Sequence, residues 1–263
     1  MAESLLQYLD FALETAHLAG RLTLGHFQTQ IRPDLKEDQS PVTLADRQAE
    51  GLIRSRIEER YPRHAILGEE YGVKEGEGSA HRWLIDPIDG TRSFVRGVPL
   101  YAVLIGLEIE GEVEVGAAYF PALDEMVAAA TGEGCWWNGR RAHVSAVSAL
   151  SQAVVAYSDV ANFARQGRVE EWQRIAQATQ YRAGWGDAYG HMLVATGRVE
   201  LMLDPVVSPW DCGPFPPILR EAGGYFGDWQ GDWTIYAGEA MSVSQRLQPE
   251  VLALMREAQA DAA

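Results

Sequence analysis

Residues 81–91, HRWLIDPIDGT, place two aspartates three positions apart directly after an apolar run. The apolar run predicts a strand. Pro87 restricts, and Gly90 permits, the backbone angles of a tight turn after that strand. Carboxylate oxygens are the ligands that hard divalent cations prefer. The spacing therefore predicts that Asp86 leaves the strand end, that Asp89 lies in the turn, and that both converge on one cation.

The same segment predicts an anion site beside this cation. Gly90 and Thr91 open a short helix, and the first N–H groups of a helix lack intrahelical partners and lie at its positive end. A cation beside an anion pocket indicates a phosphate ligand. Arg92 follows directly and is either a further phosphate contact or a surface cation.

Other acids have comparable settings. Glu69 and Glu70 follow a predicted buried strand, where an acidic pair is destabilising unless a cation or hydrogen-bond donors satisfy it. Taken alone, this pair fits a surface loop or a ligand site equally well. Asp211 follows Pro209-Trp210 at a predicted helix start, where a simple N-cap is the ordinary interpretation.

The elements that must position these acids differ between the two halves of the chain. In the first half, apolar residues at helical spacing predict helices over 3–27 and 45–60. Asn138-Gly139 predicts a two-residue hairpin. The remaining short apolar runs predict an antiparallel set of strands over 65–68, 82–85, 101–109, 113–120 and 126–130.

The second half alternates strands with helices, which indicates an α/β arrangement. No Pro/Ser-rich linker or internal repeat interrupts the chain. Residues 1–263 are therefore expected to form one unit, with an α+β half over about 1–142 and an α/β half over about 143–263. The predicted elements are strands over 153–157 and 199–203, and helices over 162–179, 187–196, 209–222 and 249–258.

Composition excludes several classes of protein. The 263 residues carry 22 Lys plus Arg against 37 Asp plus Glu, a net charge of −15 that repels nucleic acid and anionic lipid. Only Cys135 and Cys212 are present, so a disulfide framework is not expected. The acidic, amphipathic first residues and the lack of a long apolar run predict a cytoplasmic protein that does not contact membranes.

Taken together, these motifs resemble the inositol monophosphatase superfamily over nearly the whole chain. The order of the motifs is what makes the resemblance specific. The matching segments are Lys36-x-Asp38-x-Ser40-Pro41-Val42-Thr43-x-Ala45-Asp46, Gly68-Glu69-Glu70, Trp83 through Phe94, Gly132-x-Gly134 with Asn138-Gly139, Trp210-Asp211 and Glu221-Ala-Gly223-Gly224.

The resemblance implies a layered αβαβα sandwich that hydrolyses phosphate monoesters with two or three Mg²⁺ ions, with Mn²⁺ as an alternative. It implies a small-molecule phosphate ester as the ligand and a homodimer as the assembly. Glu70 would support its neighbour Glu69. The implied metal ligands are Glu69, Asp86, the Ile88 carbonyl, Asp89 and Asp211.

The chemistry of ester hydrolysis agrees with this assignment. The reaction needs an attacking water and neutralised phosphoryl and leaving oxygens, which paired cations supply. By the resemblance, Thr91 and Asp46 hydrogen-bond near that water, and Glu69 helps to activate it. The N–H groups of residues 90–92 would hold the phosphate.

The alcohol portion of the substrate is the harder question. Asp187 and Asp204 would suit a substrate with a cationic amine, because neutral inositol does not require extra negative charge. Each also has an ordinary interpretation, Asp187 as a helix cap and Asp204 as a turn residue before Pro205. The strings around Asp187, Asp204 and Arg92 resemble the histidinol-phosphatase branch, which implies L-histidinol phosphate as the substrate.

Several alternatives remain. Within the enzyme class they are inositol-1-phosphate hydrolysis and broad specificity; in another class, the acids would form a non-catalytic metal-binding scaffold. Gly132-x-Gly134 is interpreted as a structural turn, because no helix pattern follows it. Residues 212–217, CGPFPP, depart from the small residues usual after the Trp-Asp motif and leave the local helix geometry open, because proline is tolerated only in a first turn.

Overall fold

Two long helices open the fold. The structure of the protein is a computed structural model that describes residues 3–29, 33–35 and 41–262. Helix α1 spans Leu5–His26 and α2 spans Leu44–Arg60, close to the predicted bounds. Both begin with a capping box, at Ser4 and at Thr43. None of the described helices combines the length and apolarity needed to cross a bilayer. Lys36, Asp38 and Ser40 of the predicted motif lie outside the described residues.

The first half of the chain builds an eight-stranded sheet in the order β10-β9-β8-β7-β6-β5-β3-β4. The sheet is antiparallel except where β3 runs parallel to β5, an exception to the predicted pattern. β1 and β2 form a separate two-stranded ribbon. The short helix α3 (Thr91–Val95) follows β5. The strands are β1 (Asp34–Leu35), β2 (Pro41–Val42), β3 (Ala65–Gly68), β4 (Gly72–Lys74), β5 (His81–Asp89), β6 (Ala102–Ile109), β7 (Glu112–Phe120), β8 (Glu125–Ala130), β9 (Gly134–Trp137) and β10 (Arg140–Arg141).

Two predicted turns of this sheet are confirmed. Asn138 and Gly139 both have positive φ, 46° and 73°, and they join β9 to β10. Gly132 lies in the turn between β8 and β9, Gly134 begins β9, and both donate their backbone N–H to the Glu221 carboxylate, at 2.9 and 2.7 Å. Gly132-x-Gly134 is therefore a structural turn, as predicted.

The second half of the chain builds a five-stranded sheet in the order β12-β11-β13-β15-β14. The first three strands of that order run parallel, whereas β15 is antiparallel to both of its neighbours. A 3₁₀ turn (Leu150–Gln152) precedes the first strand of this half, β11. The elements are β11 (Val154–Tyr157), α4 (Val160–Arg165), α5 (Val169–Ala178), β12 (Tyr181–Ala183), α6 (Ala188–Ala195), β13 (Leu201–Asp204), α7 (Pro209–Cys212), α8 (Phe215–Ala222), β14 (Gly224–Gly227), β15 (Ala240–Ser244) and α9 (Gln248–Ala262).

Two helices predicted as continuous are broken. The helix predicted over 162–179 is two helices, α4 and α5, separated at Gly167, whose φ of +67° no helix accommodates. The helix predicted over 209–222 is likewise α7 and α8. Pro214 precedes α8, while Pro216 and Pro217 lie in its first turn, where a missing N–H breaks no helical bond. The strand β12 was not predicted at all.

The elements stack in five layers, so the predicted αβαβα sandwich is confirmed. Helices α1 and α2 cover one face of the eight-stranded sheet through a core that includes Ile53, Trp83 and Ile105. Helices α6 and α8 lie between the two sheets, where Leu104, Met192 and Phe226 share one core. Helices α5 and α9 cover the outer face of the five-stranded sheet.

A pair of glycines lets the second half of the chain rest directly on the first sheet. Gly106 of β6 and Gly116 of β7 lie opposite each other in register. A Cβ on Gly106 would overlap the backbone of Gly213, and one on Gly116 would overlap the carbonyl of Pro214. The α7–α8 junction therefore contacts the sheet backbone to backbone, which brings Asp211 against the end of β5.

Candidate active site

Asp86 and Asp89 lie on the same side of β5 because the strand contains a bulge. Asp86 pairs with Leu104 and Asp89 with Ala102, so β5 has one residue more than β6 over this interval. In a regular strand, residues three apart point to opposite faces, and one extra residue restores the same face. Asp89 therefore belongs to the strand, which corrects the prediction that it lies in the turn after Asp86.

Three carboxylates meet at this point. Oxygen atoms of Asp86, Asp89 and Asp211 all lie within 4.8 Å of one another. Asp86 is 2% exposed and Asp89 is 8% exposed. Asp211 also accepts a hydrogen bond from the Ser208 N–H at 2.8 Å within the capping box of α7. The N-cap interpretation of Asp211 is therefore wrong: Ser208 is the N-cap, Asp211 is the third helical residue of the capping box, and its carboxylate also faces the other two.

Burial raises the pKa of all three groups. The pKa of Asp86 is raised well above its usual range by burial and then by Glu69 and Asp89. The pKa of Asp89 is raised likewise, by burial and then by Asp187 and Asp211. Burial raises the pKa of Asp211 to about 7, with Glu69 adding to the effect. Like charges this close are compatible with ionisation only if a cation offsets them, and an all-oxygen donor set suits a hard divalent cation.

A cavity of about 260 Å³ opens over these acids. The parallel pairing of β3 with β5 brings the residue after β3, Glu69, to the same edge, where its N–H donates to the Ile85 carbonyl at 3.2 Å. Glu70 does not belong to the described lining. The described lining residues are Pro41, Glu69, Asp86, Ile88, Asp89, Gly90, Thr91, Arg92, Asp187, Val206 and Asp211.

Thr91 and Asp46 are adjacent, as the resemblance implies. The Thr91 hydroxyl donates to the Ile88 carbonyl at 3.0 Å and lies 3.5 Å from Asp46 Oδ1. Asp46 is fully buried at the start of α2, where it accepts hydrogen bonds from the N–H and the hydroxyl of Thr43 at 2.8 and 2.5 Å. Burial raises the pKa of Asp46. The hydroxyl thus stands between a buried carboxylate and the cavity.

Gly90 and Arg92 complete the side of the cavity at α3. Gly90 has a φ of +75°, which ends the strand and starts the helix as predicted. Its missing side chain leaves room for Asp187, whose Oδ2 lies 3.3 Å from where a Cβ would be. Arg92 lies at the exposed rim of the cavity.

The helix-cap interpretation of Asp187 is wrong. Asp187 precedes α6, yet its side chain accepts no capping hydrogen bond. Its backbone has φ 53° and ψ −154°, a region that strongly favours glycine. The N–H of Ala188 donates to Asp89 Oδ2 at 2.8 Å, so this strained turn is fastened to the acidic cluster. Burial raises the pKa of Asp187, and Arg92 opposes that rise.

Asp204 lies behind Asp187 and is not part of the described lining. Its carboxylate accepts hydrogen bonds from the Ser158 hydroxyl at 2.6 Å and from the Val206 N–H at 3.3 Å. Burial raises the pKa of Asp204 to about 8, and Asp187 adds to that rise. The two predicted amine-reading acids are therefore near each other, but only Asp187 faces the cavity.

The raised pKa values predict how pH affects the metal-free protein. A carboxyl whose folded pKa exceeds its unfolded value of about 3.9 stabilises the fold below that value and loses this contribution as pH rises through the folded pKa. Since the folded pKa of Asp211 is about 7 and that of Asp204 about 8, the Tm in EDTA should fall from about pH 4 to about pH 8 and level off above that. Calorimetry in EDTA measures this; a Tm that rises with pH would contradict it.

Added Mg²⁺ should reverse this loss. Because binding displaces protons from the carboxyls, the rise in Tm on adding Mg²⁺ should be larger at about pH 8.5 than at about pH 6, and at least ~5 °C at the higher pH. The same calorimetric series provides the comparison. An equal shift at both pH values would show that the cluster is not the binding site.

Comparisons with known proteins agree on the family. The family model described as the inositol monophosphatase family matches residues 4–260. A histidinol-phosphatase from Chlorobaculum parvum is 43% identical, covering 89% of this chain and 90% of its own. An inositol-1-monophosphatase from Mesorhizobium japonicum is 34% identical, covering 88% of this chain and 88% of that protein. The solved structure of the extragenic suppressor protein suhB from Bartonella henselae superimposes with a TM-score of 0.89 at 27% identity, covering 95% of this chain and 99% of that one.

Proposed function

Because the chain belongs to the inositol monophosphatase family and is a phosphoric monoester hydrolase, we propose that its substrate is L-histidinol phosphate. The observation that carries this proposal is the position of the Asp187 carboxylate. It caps no helix, and it lines the cavity together with Gly90 and Arg92. A half-buried carboxylate in this place suits the ammonium group of an amino alcohol. Histidinol-phosphatases are also among the similar proteins, at 36 to 43% identity.

The proposed metal ligands are the carboxylates of Glu69, Asp86, Asp89 and Asp211 and the carbonyl of Ile88. Two or three Mg²⁺ ions, or Mn²⁺ in their place, would be held there. When bound, they supply a water of lowered pKa and offset charge on the phosphoryl and leaving oxygens. The convergence of three of these carboxylates and their raised pKa values support the assignment.

Thr91 and Asp46 are proposed to handle the proton of the attacking water. The Thr91 hydroxyl lines the cavity and lies 3.5 Å from the buried Asp46 carboxylate. In this arrangement, Thr91 orients the water and relays its proton toward Asp46. The raised pKa of Asp46 makes that carboxylate a better proton acceptor.

The phosphate would be held at residues 90–92. Gly90, Thr91 and Arg92 line the cavity together with the acids. Backbone N–H groups at the start of α3 and the guanidinium of Arg92 would neutralise the phosphoryl oxygens. Asp187 would then contact the amine of the substrate, and Asp204, outside the described lining, would add negative charge near it.

The second candidate function is hydrolysis of inositol-1-phosphate. The inositol-1-monophosphatase relative at 34% identity supports it. The metal and phosphate sites would be the same for both esters, because these sites contact only the phosphate group. The two candidates therefore differ only in what Asp187 contacts.

A direct comparison of the two esters tests the proposal. Phosphate release by the purified protein in Mg²⁺ should give a kcat/KM at least ~100-fold higher for L-histidinol phosphate than for inositol-1-phosphate. EDTA should abolish both activities. A ratio near one would remove the histidinol assignment and leave a phosphatase of broad specificity. No EDTA-sensitive release from either ester would favour the non-catalytic scaffold.

The proposed assembly is a homodimer, as the resemblance implies. An apolar groove lined by Leu9, Leu13, Met126 and the 41% exposed Trp136 is compatible with such an interface. Sedimentation velocity of the purified protein measures the mass directly.

A further inference from the structure

One face of α2 carries three polar residues at intervals of four: Asp46, Glu50 and Arg54. Residues four apart lie above one another on a helix, so the three form one row. Asp46 and Glu50 are both 0% exposed. Asp46 faces Thr91 of the candidate site. The function proposed above gives no role to the other two.

Glu50 binds the turn that follows β3. Its Oε2 accepts the Glu70 N–H at 2.7 Å, and its Oε1 accepts the Tyr71 N–H at 3.1 Å. The same Oε1 accepts a hydrogen bond from Arg54 Nε at 2.7 Å. Arg54 also donates, through Nη2, to the carbonyl of Gly72. The turn from 70 to 72 is thus held to α2 by an ion pair whose carboxylate is fully buried and whose guanidinium side chain is 12% exposed.

The contact extends to the backbone directly before Glu69. A Cβ on Gly68 would overlap the Glu50 carboxylate, so glycine is required where the helix and the strand end meet. On the other side, the Glu69 N–H donates to Ile85 of β5. The Glu69 backbone is therefore fixed by β5 on one side and by the Glu50 contacts immediately after it.

A buried ion pair is an expensive way to hold a turn. Removing two charges from water carries a large desolvation penalty, and well-packed apolar residues often serve stability equally well. Neither Glu50 nor Arg54 belongs to the described lining of the cavity. Their hydrogen bonds instead fix the direction in which the chain leaves β3, which an apolar contact would not do.

We infer that Glu50, held in place by Arg54, is a positioning residue that sets the metal affinity of the site through the conformation of Glu69. This inference rests on the proposed function, in which Glu69 is a metal ligand. Groups that orient metal ligands without touching the metal typically change affinity or activity 10- to 100-fold when replaced.

The test variant is Glu50→Gln, which keeps the shape of the side chain. An amide has one acceptor oxygen, so either Glu70 N–H or the Tyr71 N–H with Arg54 would face an NH₂ donor. We expect the Kd for Mg²⁺, measured by calorimetry without substrate, to rise ~10–100-fold. At saturating Mg²⁺, kcat and KM should stay within about 2-fold of the wild type, because no group that contacts substrate has changed.

Glu58→Gln is the matched control, because Glu58 is an exposed glutamate of the same helix. It should leave the Kd for Mg²⁺ and the kinetics unchanged. Arg54→Lys is the second variant, in case Glu50→Gln does not fold. A single ammonium cannot reproduce the guanidinium fork that reaches both Glu50 and the Gly72 carbonyl, so a ~3–10-fold rise in Kd is expected.

An unchanged Kd for Mg²⁺ in folded Glu50→Gln or Arg54→Lys would overturn the inference. So would a loss of kcat that saturating Mg²⁺ does not restore, since that pattern indicates a general structural role. Because calorimetry needs no ester, a wild type that binds Mg²⁺ but hydrolyses nothing would remove the proposed function and still allow this test. A wild type that binds no Mg²⁺ would overturn both.

Discussion

Replacing Asp89 with asparagine is expected to lower kcat by on the order of 10³-fold, about 4 kcal/mol in the barrier, while the protein stays folded. Asp89 is one of three converging carboxylates, two of them buried, and asparagine removes its charge. The amide oxygen can still accept the hydrogen bond from the Ala188 N–H, so the attachment of α6 to β5 is kept. Phosphate release at saturating Mg²⁺ and circular dichroism measure the two expectations.

The stability of this variant provides a second readout. Because like charges in the metal-free cluster repel, Asp89→Asn should raise the Tm in EDTA and reduce the further rise on adding Mg²⁺. Asp10→Asn, at an exposed position of α1, is the control and should change neither quantity. Near-normal turnover in folded Asp89→Asn would exclude Asp89 as a metal ligand.

Replacing Asp187 with asparagine is expected to lower the preference for L-histidinol phosphate over inositol-1-phosphate and to leave the hydrolytic step itself intact. Loss of a charged hydrogen bond to an ammonium group costs about 1.5–3 kcal/mol, so kcat/KM for L-histidinol phosphate should fall ~10–100-fold. Hydrolysis of inositol-1-phosphate should change by less than about 3-fold. Asparagine is the suitable replacement, because it tolerates the positive φ of this position better than other residues with side chains.

Asp159→Asn is the matched control for this prediction. Asp159 also precedes a helix, but its side chain does accept the capping hydrogen bond, from the Ala161 N–H at 2.9 Å. It should leave the ratio of the two activities unchanged. Asp204→Asn should have a smaller effect than Asp187→Asn, because Ser158 already engages that carboxylate. Equal losses on both esters in Asp187→Asn would show that Asp187 supports the site generally and does not read the amine.

The two predictions address different parts of the cavity. Asp89 belongs to the first half of the chain and Asp187 to the second, yet the Ala188 N–H connects them directly. A change at either position could therefore disturb the other. Measuring both esters and the Mg²⁺ affinity for each variant separates loss of metal from loss of substrate selection.

Local sequence predicted most of the first half of the fold. The bounds of α1 and α2 follow from helical spacing of apolar residues, and the Asn138-Gly139 hairpin follows from the tolerance of both residues for positive φ. The errors occurred where a short interruption outweighed the surrounding pattern. Gly167 divides one predicted helix, and Gly213-Pro214 divides another, although the flanking residues favour helix in each case.

The sequence alone also determined which residue types are available for chemistry. The segment from Asp86 to Thr91 predicts a cation and phosphate site, because it places two acids, a glycine and a hydroxyl directly after a strand. The strand bulge that turns Asp86 and Asp89 to one side was not visible, since the extra residue is defined only by the pairing of β5 with β6.

Only the tertiary structure decided how the distant acids meet. Asp211 reaches Asp86 because Gly106 and Gly116 let the α7–α8 backbone rest on the sheet, a contact between residues about a hundred positions apart. The strained backbone at Asp187 turns its side chain into the cavity. Capping preferences predict instead that this side chain caps α6. Glu50 had no sequence signal, because a glutamate on a helix ordinarily faces solvent, and only the packing of α2 against the end of β3 buries it.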